Sequence, residues 1–512
     1  MNFIKTEKQR TVLSLATSLI AMGLNILINF FLSPYIVATL GEEANGFTQL
    51  ANNFVNYAIV LTVALNSMAG RFITVSYHRK EYEQCNKYYS SVMVGNILII
   101  LLLIVPSVFM VLNLEKLINI ETANVFHVKL LFTFVFFNFY LSLVSSVFGI
   151  VFYVKNSLYL QNTITAIRYC INLLGLLLLF SLFVPAIYFV SLIALFCSVL
   201  TIAVYVLIKK KIMPDITFSL KHFDVRAIYT IISSGVWNAL NQCGNLLMNG
   251  FDLLLSNLLI GPGAMGVLSV AKTIPNCIIQ LGTTVNTSFS PNLTIAYAKE
   301  NKKEILSSLR FSMKCSSFLI SIPIMVLSVY GARFYSLWVP SMNADQLSVL
   351  SLLTCIAFIP FSGPQTLYNV YTTTNKLKLN SITLIFGGVL NIIIVLVLLK
   401  HTNLGLYAIA GVSSLISIIR NLIVTVPYSA KLLGLKWYTF YKDVAISVLC
   451  CATVGIVCWF VGAFLTANNW ISFCVAVFVS CFISAIALFT ILLNKQEKES
   501  IIKKIKGMKR NG

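Results

Sequence analysis

Long apolar runs recur along almost the whole chain, each bounded by short polar segments. A helix needs ~20 predominantly apolar residues to cross a hydrocarbon core. Fourteen such runs can be marked, at approximately 12–36, 47–70, 89–112, 127–150, 162–182, 186–208, 230–259, 264–290, 312–332, 347–371, 380–399, 405–427, 443–465 and 470–493. Backbone N–H and C=O groups cannot stay unpaired in lipid, so runs of this length read as helices. The pattern predicts an all-α polytopic membrane protein with about 14 transmembrane helices.

Polar residues inside these runs are ordered. In the seventh, Asn238, Gln242, Asn245, Asn249, Asp252 and Ser256 recur at steps of three and four, and so lie on one helical face. In the eighth, Ser269, Lys272, Asn276, Gln280, Thr283, Thr287 and Ser290 do the same. Each polar group left in lipid costs several kcal/mol, so the stripes must face another helix or water. Hydrogen-bonded packing between helices is the plain reading; stripes of this length, one carrying a lysine, fit a cavity wall better. Asp252 and Lys272 lie ten residues to either side of the turn at Gly261-Pro262-Gly263, hence at similar depth, where they are expected to face each other.

The first pair of runs resembles the seventh and eighth. A shift of 220 residues places Gly41 on Gly261 and Gly46 on Gly266, and pairs Asn25 with Asn245, Asn29 with Asn249, Asn56 with Asn276 and Asn66 with Asn286. Six runs precede the second copy, so both copies cross in the same direction. This predicts two pseudo-symmetric six-helix lobes, 1–208 and 230–427, with a substrate site at their interface. A cytoplasmic connector (209–229) joins them, 428–493 adds two helices, and 494–512 is a basic cytoplasmic tail. The connector's mixed apolar and basic residues suit either a bilayer-surface segment or a plain charged loop.

Composition agrees, with 58% hydrophobic and 10% charged residues. Lysine and arginine gather on alternate loops, including Lys209, Lys210 and Lys211 and the carboxyl-terminal tail, which places both ends in the cytoplasm. This accounts for the net charge of +21 without nucleic acid. The first run is too long for a signal-peptide core and reads as a retained helix. No cysteine and histidine spacing suits a metal, and the 12 cysteines read as small apolar side chains.

Other charges within runs are Arg168 and Arg420, both about two turns from the cytoplasmic surface, while Arg71 ends the second run. Asp252 is the one carboxylate placed deep in a run, and no histidine is. The buried balance is positive and suits an anion.

The runs NFFLSPYIVATLG, NYAIVLTVALNSMAGRFI and FDLLLSNLLIGPGAMGVLSVAKTIPN resemble the polysaccharide-transport branch of the multidrug, oligosaccharidyl-lipid and polysaccharide (MOP, MATE-like) exporter superfamily, more narrowly its Wzx-type flippases. The resemblance implies two lobes around a cationic lumen in the bacterial cytoplasmic (inner) membrane. Its implied substrate is an undecaprenyl-pyrophosphate-linked oligosaccharide, such as an O-antigen, capsule or exopolysaccharide unit. Lys272, Arg71, Arg168 and Arg420 are the positions that could receive the pyrophosphate. Partners implied are polysaccharide polymerase, glycosyltransferases and membrane lipids. The sugars would then use the amides of Asn25, Asn29, Asn56, Asn245, Asn249, Asn276 and Gln280. Asp252 departs from a purely cationic lumen and is the candidate for coupling to H⁺ or Na⁺; no cofactor is expected.

A multidrug cation antiporter of the same fold and a peptidoglycan lipid precursor flippase are the alternatives. A membrane glycosyltransferase would need a catalytic base on a sizeable exterior loop. The exterior acids are few, Glu42, Glu43, Glu115, Glu121 and Asp345, so the chain is not expected to be an enzyme.

Overall fold

The structure, a computed structural model, describes residues 7–121, 123–298, 302–374, 376–465 and 469–492. The basic tail at 494–512 and the first six residues lie outside them. The chain opens with α1 (Glu7–Leu40), α2 (Glu42–His78), α3 (Tyr82–Leu112), the one-turn α4 (Leu114–Leu117), α5 (Val125–Val154), α6 (Leu158–Leu182) and α7 (Tyr188–Ile212). Next come α8 (Val225–Asn249), α9 (Asp252–Leu259), α10 (Pro262–Ala271), α11 (Thr273–Ala298) and α12 (Lys302–Trp338). The remainder is α13 (Ala344–Cys355), α14 (Phe358–Phe361), α15 (Tyr368–Thr373), α16 (Lys378–His401), α17 (Leu406–Arg420), α18 (Val426–Leu432), α19 (Tyr441–Phe464) and α20 (Trp470–Leu492).

Among the described residues 11 helices are long and apolar enough to span a membrane, or 12 when the bent pair α10 and α11 counts as one. The difference from the expected fourteen lies in three runs that are not continuous helices. The seventh breaks at Gly250, a poor helix former, between α8 and α9. The eighth bends by 43° at Lys272. The tenth, with Pro360 and Pro364, falls into α13, α14, a 3₁₀ turn (Pro364–Leu367) and α15.

The breaks at Gly250 and Lys272 leave backbone carbonyls that other helices satisfy, as an apolar surrounding requires. Pro275 has no N–H to offer Ala271, four residues back. The Ala271 carbonyl instead accepts Ser351 Oγ at 2.7 Å and Tyr335 OH at 3.4 Å. At the other break the Gly250 carbonyl accepts Tyr57 OH at 2.8 Å and Asn53 Nδ2 at 3.3 Å. Two residues back, Asn391 Nδ2 donates to Met248 O at 3.0 Å.

The chain divides into two compact units. The first comprises Met1–Val270 with Leu384–Gly405, and the second Ala271–Thr383 with Leu406–Gly512. The first therefore takes in α8 to α10 and most of α16 besides the first six long helices. Small residues permit this packing. Gly388 of α16 leaves no room for a Cβ beside Leu247 of α8, and Gly235 of α8 none beside the Ala64 carbonyl of α2.

Also within the first unit, the two copies of the repeat touch. A Cβ on Gly46 would lie 3.1 Å from Gly266 Cα, and one on Gly266 only 2.5 Å from the Glu42 carbonyl oxygen. These glycines correspond under the 220-residue shift, and equivalent residues of a twofold repeat meet at its axis. Around them, Asn45 Nδ2 donates to Ser269 Oγ at 2.7 Å. The buried Glu43 carboxylate accepts the backbone N–H of Glu121 at 2.8 Å and of Ala123 at 3.1 Å. Asn119 and Asn257 exchange side-chain and main-chain bonds of 2.9–3.0 Å, so the loop before α5 is tied to α9.

The core of the second unit is built on α12. Its Ser312, Ser316, Ser317 and Ser321 are buried at helical spacing, so short side chains let α19 and the broken tenth run approach closely. Ser317 Oγ lies 3.0 Å from Ser447 Oγ of α19, and Ser447 Oγ accepts the Gly363 N–H at 3.3 Å.

Candidate functional site: polar faces on the spanning helices

The breaks divide the two polar stripes by environment. On α8, before the break, Asn245 and Asn249 are exposed; after it Asp252 is 2% exposed and Ser256 fully buried. In the eighth run the order reverses along the chain: Ser269 is buried, whereas Asn276, Gln280, Thr283 and Thr287, beyond the bend, are exposed. On α2 likewise Asn45 is buried and Asn52 and Asn56 are exposed. The expectation of full-length cavity walls is therefore corrected. The parts of the stripes nearest the Gly41 and Gly261 turns are buried, and the exposed polar positions lie beyond them on α2, α8 and α11. Exposed amides at membrane depth require water, because lipid offers them no partner.

Asn25 and Asn29 of α1 are half-buried and satisfy each other, with Asn29 Nδ2 2.8 Å from the Asn25 carbonyl oxygen and 3.1 Å from its Oδ1. Arg71 is exposed in the last two turns of α2. Arg168 is half-buried on α6, with its guanidinium carbon 5.6 Å from the Tyr169 ring centroid. Asp252 begins α9 at the break. Beside it the Tyr57 ring stacks on Phe251, with centroids 4.9 Å apart and planes inclined by 17°. Lys272 is half-buried at the bend between α10 and α11. The boundary between units falls between these two charges, Asp252 in the first and Lys272 in the second.

Arg420 has the most defined surroundings. It closes α17 at 9% exposure, immediately before a π-helical stretch, Asn421–Thr425, that precedes Pro427. Its guanidinium donates to Tyr368 OH at 2.7 Å, Asn421 Oδ1 at 2.9 Å and Asn380 Oδ1 at 3.3 Å, while Nε is buried without a partner. All three acceptors are neutral. Asn421 Oδ1 also accepts Tyr368 OH at 2.7 Å and Thr425 Oγ1 at 2.8 Å. The side chain is therefore caged inside the second unit. Tyr368, Asn380 and Asn421 were not among the residues singled out from sequence, because their only connection to Arg420 is spatial.

Because Tyr368, Asn421 and Thr425 keep their mutual bonds without the guanidinium, Arg420→Met is expected to cost no more than about 1 kcal/mol of stability. A drop of several degrees in thermal midpoint in detergent would instead make the cage a stabilising element.

Among the described residues no group of three or more histidine, cysteine, aspartate or glutamate side chains is placed to hold a metal ion. The 12 cysteines are free thiols, mostly buried or half-buried.

Three comparisons bear on this arrangement. The chain is 28% identical over 502 residues to the uncharacterized membrane protein EpsK of Bacillus subtilis (strain 168), covering 97% of this chain and 98% of EpsK. Its fold is similar to an inward-facing multidrug resistance MATE family transporter of the MOP superfamily, with TM-score 0.66, 12% identity, and coverage of 84% of this chain and 98% of that one. It is also similar to the lipid II flippase MurJ, with TM-score 0.65, 15% identity, and coverage of 94% and 98%. The two structural likenesses show a MATE-like fold. The family described as polysaccharide biosynthesis protein matches residues 12–291, more than half of the chain, and this protein belongs to that family.

Proposed function

We propose that the protein is a flippase for a polyprenyl-pyrophosphate-linked oligosaccharide, carrying the unit from the cytoplasmic to the outer leaflet by alternating access. One observation carries the reading: Asn52 and Asn56 of α2, Asn245 and Asn249 of α8, and Asn276 and Gln280 of α11 are exposed, whereas Asn45, Asp252, Ser256 and Ser269 are buried. Such exposed amides suit a polar cargo. A bare diphosphate cannot enter hydrocarbon, since an unpartnered buried charge costs far more than thermal energy. Lys272, with Arg71 and Arg168 as further cationic positions, would replace its water. The amides of Asn245, Asn249, Asn276 and Gln280 would meet sugar hydroxyls, and the polyprenyl chain would stay in lipid.

With the cytoplasm negative, outward movement of an anion is favoured by ~2.3 kcal/mol per charge per 100 mV. Asp252, the buried carboxylate at the α8–α9 break, is the candidate for adding an ion to this drive. The resemblance to cation exporters is one of fold, and a multidrug antiporter of that fold remains the reading to test against.

The test is reconstitution in liposomes with a fluorescent polyprenyl-pyrophosphoryl oligosaccharide. Wild type is expected to expose substrate on the far leaflet faster than empty liposomes, and Asn276→Leu with Gln280→Leu to slow it about tenfold, one or two hydrogen bonds' worth. Wild type indistinguishable from empty liposomes, together with uptake of a lipophilic cation, would replace this function by the antiporter.

A further inference from the structure

The connector between α7 and α8 has two faces of opposite character. Its inner face is fixed to the start of α3. Met213 and Ile216 are fully buried against Cys85, Tyr89 and Val92. Thr217 N–H donates to Asn86 Oδ1 at 2.9 Å, Ser219 N–H to Ser90 Oγ at 3.2 Å and Asp224 N–H to Ser91 Oγ at 3.0 Å. Buried Lys209 donates to the Ile216 carbonyl and lies 5.5 Å from the Tyr89 ring centroid. A plain charged loop would not be held in this way.

The outer face is apolar and basic. Phe218 is 44% and Leu220 72% exposed, Phe223 is exposed beside them, and Lys210, Lys211 and Lys221 are exposed in the same stretch. The residues that hold the connector, Asn86 to Ser91, begin the third apolar run, so the connector sits at the level where a span leaves the hydrocarbon. Large apolar side chains interleaved with lysines at that level match the interface of a leaflet rich in anionic headgroups. The apolar groups enter the acyl boundary and the ammonium groups meet phosphate.

We propose that Phe218, Leu220 and Phe223 dock the connector onto the anionic cytoplasmic leaflet, with Lys210, Lys211 and Lys221 supplying the charge preference. Asp224 caps α8, accepting the Arg226 N–H at 2.8 Å, and is itself bonded to Ser91. The docked strap thus sets the position at which α8 enters the membrane. This inference does not depend on the substrate.

The experiment uses the full-length protein in nanodiscs and a neutral, water-soluble maleimide, with wild type defining the background from native thiols. Leu220→Cys and, as the solvent-facing reference on the same connector, Asp215→Cys are compared in discs of phosphatidylcholine alone and with phosphatidylglycerol. Relative to Asp215→Cys, labelling of Leu220→Cys is expected to slow about tenfold on adding the anionic lipid, and to recover when Lys210, Lys211 and Lys221 are changed to Gln. Equal labelling of the two cysteines in both lipids would overturn the docking. Slow labelling indifferent to lipid charge and to the lysine changes would overturn the anionic preference. Protection in detergent that grows with protein concentration would assign the face to a second copy and also overturn it.

Discussion

Lys272→Ala is expected to slow translocation of the lipid-linked oligosaccharide by between about tenfold and a hundredfold, the range set by one or two lost charge-assisted hydrogen bonds to the pyrophosphate. The fold should survive the change. The bend at this position is set by Pro275, which cannot bond to Ala271, and by the Ser351 and Tyr335 hydroxyls that satisfy the Ala271 carbonyl. None of these needs the ammonium group. Lys272→Arg keeps the charge and should retain much of the rate. The check is the liposome assay on variants matched for thermal midpoint; a wild-type rate for Lys272→Ala would remove this residue from the substrate path and leave the other cationic positions to carry the charge.

The second large effect concerns the contact between the two copies of the repeat. Gly266→Ala should destabilise the protein by about 3 kcal/mol, the upper end of overpacking costs. Its new Cβ would fall 2.5 Å from the Glu42 carbonyl oxygen and 2.6 Å from its carbon, atoms of backbone that cannot rotate away. Gly46→Ala meets first the flexible end of Met265 at 2.7 Å and should cost less, about 1 kcal/mol. Gly23→Ala meets nothing within 4 Å and should gain up to about 1 kcal/mol from helix propensity. Thermal midpoints in detergent are expected to follow this order. Gly266→Ala melting together with Gly23→Ala would show that the helices can separate here at little cost.

The same contact shows how far sequence patterns reach. The 220-residue shift that equates Gly46 with Gly266 is written in the residues themselves, as are the apolar runs and the loop lysines, because a bilayer imposes span length and charge bias on each segment separately. Those local constraints determined the class of the protein, its helical architecture, the polar stripes and the positions of the buried charges. Where a helix breaks also has a local trace: Gly250, Pro275, Pro360 and Pro364 stand at or near the interruptions. Their effect was hidden because periodicity runs on through a short break, and a stripe at steps of three and four looks continuous on either side of it.

Which end of each stripe meets water could be decided only by tertiary structure. Ser269 and Asn276 are equally polar, yet one bonds to Asn45 across the repeat and the other is exposed. The surroundings of Arg420 belong to the same class: Tyr368, Asn380 and Asn421 reach one guanidinium from α15, α16 and the π-helical stretch after α17. The sequence by itself determined what each segment must be to live in a membrane. Only the packing of distant segments decided which polar groups satisfy one another and which are left for water, because a hydrogen bond depends on distance in space and not on spacing along the chain.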